Sequence, residues 1–148
     1  MKRLLALISV LAVAAVLATT GSATQAGPRS GALYVTKECS QYNFKAGGFC
    51  TITSSNIEAI KPGMKVVYLS APANNVLDSD IVLGYGHGSA AYGHVVLNFN
   101  LTPLQGQVTF TGGTGAFAGF NADTVVFVGP TGAWHWDGTY SFGAPGRD

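Results

Sequence analysis

The chain has 148 residues, eight basic and seven acidic side chains, and only 10% of its residues are charged. So sparse and balanced a charge excludes a nucleic-acid binder, which needs a basic face against phosphates; with no charge run in the chain, it argues equally against an anionic membrane surface as partner. The length suits one domain with its own core and is too short for two.

The first element reads as a removable leader. Met1-Lys2-Arg3 sets two positive charges before an apolar run from Leu4 to Ala18, broken only by Ser9. A bilayer-spanning helix needs about 20 apolar residues, so a short run followed by small residues is a secretory signal peptide. Cleavage after Ala26 fits best, because Gly27-Pro28 then opens a flexible start; cleavage after Ala23 and a retained anchor are the alternatives. Residues 1–26 are thus expected to be removed, leaving 27–148 as a single secreted domain, extracellular or in the cell envelope. Without Lys2 and Arg3 the domain has six basic and seven acidic residues, a net charge of −1. No later stretch is apolar for long enough to span a membrane.

After the leader no segment keeps a helical period for two turns. β-Branched and aromatic runs alternate with Gly, Asn, Pro and Ser clusters, the pattern of successive strands and turns. Eight strands are expected: Ala32–Lys37, Phe49–Ser54, Met64–Ser70, Asp80–Tyr85, Ala91–Phe99, Gln107–Thr111, Ala122–Val128 and Ala133–Phe142. Their short connections force antiparallel neighbours, since a parallel crossover needs a dozen residues or more. The fold class is therefore all-β, and eight strands suffice to close a barrel. Between the first two strands lie Cys39 and Cys50, an even pair that in an exported chain is expected to form a disulfide.

In the fifth strand Tyr92, His94, Val96 and Asn98 share one face. Tyr92, His94 and Asn98 are candidate lumen residues able to hydrogen-bond a bound molecule. The opposite assignment puts that row outside and Ala91, Gly93, Val95, Leu97 and Phe99 in the core, and apolarity favours it. Next comes Gly112-Gly113-Thr114-Gly115-Ala116-Phe117-Ala118-Gly119. It lacks the spacing of a dinucleotide fingerprint, no Lys-Ser/Thr follows, and a strand rather than a helix comes next, so it is a tight reversal with Phe117 plugging the core. At least one glycine from 112 to 115 is expected at positive φ. In the last strand Trp134, Trp136, Gly138, Tyr140 and Phe142 fall on one face, and His135, Asp137, Thr139 and Ser141 on the other. Trp134, Trp136 and Tyr140 are further lumen candidates; Gly138 leaves a notch in the row, either a bend in a closing barrel or room for something to approach, and favours a partly open interior.

The stretch Val108-Thr109-Phe110-Thr111 through Phe120-Asn121-Ala122 resembles the GGTG-x-F strand-turn-strand signature of the allene oxide cyclase and dirigent barrels. The hairpin from Asp80-Ile81-Val82-Leu83 to Gly93-His94-Val95-Val96-Leu97 is similar to the strand pair preceding it, and Trp136-Asp137-Gly138-Thr139-Tyr140-Ser141-Phe142 to the terminal strand of bacterial members. The likeness spans roughly residues 78–142 and implies a calycin-like, eight-stranded antiparallel closed barrel of the allene oxide cyclase type, holding an apolar ligand and in some members forming dimers or trimers. It does not carry the chemistry across. The carboxylate and polar neighbours of the plant cyclases have no counterpart in Leu33–Ile60, and the mature arginines, Arg29 and Arg147, lie near the ends rather than in a lumen as in dirigent proteins.

No other motif supplies a catalyst. His87, His94 and His135 share no metal-ligand spacing, so no metal and no cofactor are expected. Ser89 lacks a nucleophile-elbow context; Asp78, Asp80, Asp123 and Asp137 are scattered, and only Asp137, beside His135, stands out. Two functions remain open. One is a secreted barrel that binds a small hydrophobic molecule, with or without cofactor-free isomerase or cyclase activity. The other is a non-catalytic structural barrel whose outer face self-associates.

Overall fold

The computed structural model describes residues 28–86 and 88–143. The expected leader and the histidine at 87 lie outside the described residues.

Strict alternation builds the barrel wall. In β1 (Ser30–Glu38) Leu33, Val35 and Lys37 are buried while Tyr34 is exposed, as a period of two demands of a strand with one inner face. The other strands are β2 (Phe49–Ser55), β3 (Lys65–Tyr68), β4 (Val76–Gly86), β5 (Ser89–Asn98), β6 (Gln105–Thr114), β7 (Phe120–Val128) and β8 (Trp134–Phe142). Each pairs antiparallel with the next, and β1 returns to β8 in a ladder from Ser30↔Ser141 to Lys37↔Trp134. That last ladder closes the sheet and leaves no free edge. The expected eight-stranded antiparallel closed barrel is therefore the observed architecture. The strand limits differ modestly: β3 stops at Tyr68, before Ser70, and β4 begins at Val76 rather than Asp80.

The glycine-rich reversal joins β6 to β7 through a single 3-10 turn, Gly115–Phe117. Gly115 sits at φ 57° and Gly112 at φ 144°, conformations a Cβ disfavours. Phe117, fully buried, caps this end of the interior.

The interior divides into two levels. Toward the Phe117 end it is filled by rings: the Phe110 centroid lies 5.5 Å from those of Phe120 and Trp136, Phe117 lies 5.5 Å from Phe120, and Phe142 lies 5.1 Å from Phe120. Tilted and edge-on pairs at these distances are the favoured aromatic geometries. Gly138 leaves no open space here: of the readings the sequence allows, it is the close approach of a neighbour that holds. A Cβ at this position would collide with the Asp123 carbonyl oxygen and lie 2.7 Å from Thr124 Cα, so the glycine lets β8 approach β7. The opposite end is not filled. It is bounded by the β1–β2, β3–β4, β5–β6 and β7–β8 connections, and the Cys39–Cys50 disulfide clamps the first of them.

Candidate functional site

The open end of the lumen holds a cavity of about 140 Å³ whose walls include Tyr42, Leu77, Val95, Leu97, Val126 and Trp134. Its walls are apolar because the inward positions of β4, β5 and β7 are Leu, Val and Leu, and Val. Over the rim stands Phe44, which holds φ at 57°, a rare conformation for a bulky residue. Ring contacts at 5.0 Å to Tyr42 and 6.0 Å to Phe99 hold it there.

Among the described residues one charged side chain enters this cavity. Lys37 is the third inward residue of β1, 3% exposed. Nζ donates a 2.6 Å hydrogen bond to Tyr68 Oη and lies 4.8 Å from the Trp136 ring centre, 5.4 Å from Tyr68 and 5.8 Å from Trp134. Aromatic faces attract a cation but replace little of the hydration an ammonium loses on burial. Among the described residues no carboxylate pairs with it; the neighbouring Glu38 turns outward and accepts from Ser40. Desolvation consequently pushes the Lys37 pKa from 10.5 to about 7, the direction burial imposes on any lysine.

Tyr68 complements it. Burial, and secondarily Tyr42, raises its pKa, so the phenol keeps its proton. Since Oη accepts from Lys37, that proton points elsewhere, and the nearest partner is Cys50 Sγ at 3.4 Å. A disulfide sulfur has no hydrogen and is a weak acceptor, so the phenol proton is held loosely enough to turn to a better acceptor. The Tyr42 hydroxyl is buried with no hydrogen-bond partner among the described residues. The site thus offers a free amine and an available hydroxyl proton at the floor of an apolar chamber.

The lumen candidates from the sequence divide. Trp134 lines the cavity; Trp136 is fully buried beneath it with its ring against Lys37. Tyr140 is buried but belongs to the plugged end, where its hydroxyl donates to the Pro28 carbonyl at 2.9 Å. Tyr92, His94 and Asn98 do not line the lumen. Ala91, Val95 and Leu97 take the inner positions of β5, which turns the Tyr-His-Asn row to the outer wall. There His94 bridges Asp80 and Asp78, at 2.9 Å each; its pKa is raised, chiefly by the hydrogen bond to Asp80. Asp137 and His135 build no shared site: the His135 ring stacks on Phe127 at 5.1 Å.

Sequence reasoning does not single out Lys37. The signal was its parity with Leu33 and Val35, which placed a lysine on the apolar face of the first strand. Cys39 and Cys50 form the expected disulfide, a bond compatible with an extracellular setting. No family model, curated protein or solved structure matches the chain.

Proposed function

We propose that the protein is an exported barrel that binds a small apolar molecule in the lumen beneath its disulfide-clamped loop, with the molecule's polar end on Lys37 and Tyr68. The observation that carries this reading is a buried lysine, with no acidic partner among the described residues, on the floor of an otherwise apolar cavity. A lone buried amine is expensive, and a fold that needed only stability would place an aliphatic residue there. Such perturbed groups cluster at functional sites. The resemblance to allene oxide cyclase and dirigent barrels supports the same class of ligand.

Size narrows the class. An apolar cavity of about 150 Å³ accepts benzene, so 140 Å³ suits a ligand of about six to eight heavy atoms. Any ring closure or isomerisation here would act on a compact substrate, with shape and the two polar groups orienting it.

Native mass spectrometry of protein taken from its own culture fluid tests the reading, together with tryptophan fluorescence on addition of hexan-1-ol. A co-purifying small molecule, or quenching that Val126→Phe abolishes by filling the chamber, is the expected result. Neither adduct nor quenching in the unaltered protein would refute it.

A further inference from the structure

Resting on that reading of the lumen, we propose that Lys37 is an amine nucleophile that captures small apolar aldehydes as an imine, with Tyr68 relaying the protons. Three features of the geometry converge. Nζ is within the cavity wall, held at 2.6 Å from a hydroxyl that it donates to. While Nζ donates to it, that hydroxyl's own proton is directed at no stronger acceptor among the described residues than a disulfide sulfur. No carboxylate among the described residues stands by to keep the amine as an ion pair. An aldehyde whose chain lies against Leu77, Val95, Leu97 and Val126 brings its carbonyl to the chamber's polar spot.

The step balances without oxidant or reductant. The Nζ lone pair adds to the carbonyl carbon, the carbonyl π electrons move to oxygen, and that oxygen takes the Tyr68 proton. The phenolate recovers a proton from nitrogen, giving a neutral carbinolamine. The nitrogen lone pair then expels the hydroxyl as water, again protonated by Tyr68, and the phenolate takes the last N–H proton. Amine and aldehyde become imine and one water.

Burial supplies the selectivity. Desolvation lowers the Lys37 pKa to about 7, so near neutral pH this amine reaches its unprotonated, nucleophilic form far more readily than a lysine in water does. An amine-carrying pocket dry enough to hold the imine would also protect it from hydrolysis.

The test incubates the protein with hexanal and cyanoborohydride at pH 7, then maps the alkylated peptide. Label concentrated on Lys37, prevented by excess hexan-1-ol and slowed at least about tenfold in Tyr68→Phe as loss of a proton donor predicts, is the expected result. Lys37→Met should lose the label, and the competition experiment on the unaltered protein does not depend on that variant. Label confined to Lys45, Lys61, Lys65 or the N-terminus overturns the proposal. If hexan-1-ol still quenches in that case, the binding reading survives and only the imine chemistry falls; if it does not, both fall.

Discussion

Replacing Lys37 by Met should make the protein more stable in mild acid and change it little in mild base. In the folded state the amine titrates near 7 rather than at its ordinary 10.5. Below 7 the folded protein must carry a buried charge that the unfolded chain carries in water; above 10.5 neither state is charged. The unfolded state therefore binds more protons between those values, and stability rises with pH across that window. At about 1.4 kcal/mol per pH unit, the full penalty at pH 6 is about 5 kcal/mol, and at pH 9.5 about 1 kcal/mol remains. Met is of similar length and carries no charge, and the substitution forfeits one hydrogen bond to Tyr68, worth about 1 kcal/mol. Lys37→Met should thus gain about 4 kcal/mol at pH 6 and almost nothing at pH 9.5. Urea unfolding of both proteins at the two pH values measures this, and there is no free thiol among the described residues to confuse the alkaline arm. A difference between the two proteins that is the same at both pH values would refute the reasoning, because it would mean that water reaches Nζ and the charge is never desolvated.

Two substitutions probe the plugged half of the barrel. Gly138→Ala should cost about 3 kcal/mol in chemical unfolding, on the upper scale of overpacked sites, because its Cβ would collide with the β7 backbone; an unchanged unfolding midpoint would show that the strands part freely. Trp136→Ala should cost about 3–5 kcal/mol as large-to-small core changes do, nearer the lower value because it also removes a buried Nε1 that lacks a hydrogen-bond partner among the described residues; a loss below about 1 kcal/mol would mean the ring is not part of a packed core.

Sequence alone determined the wall of this molecule. Period-two alternation is local, and connections too short for a crossover leave antiparallel neighbours as the only pairing, so strand number, order and the Cys39–Cys50 bridge could be read along the chain. The glycine turn was legible for the same reason, since positive φ is a property of a few adjacent residues. What lies inside was decided by closure. Both faces of β5 were plausible linings until Ala91, Val95 and Leu97 met the rest of the core and turned Tyr92, His94 and Asn98 outward. Gly138 suggested an open space because a sequence does not show what approaches a missing side chain; the backbone of β7 does. Lys37 reads as an ordinary strand-end lysine until β3 brings Tyr68 and β8 brings Trp134 and Trp136 over it. Desolvation is a sum over everything packed around a group, contributed here by strands far apart in the chain, and only the closed barrel assembles that sum.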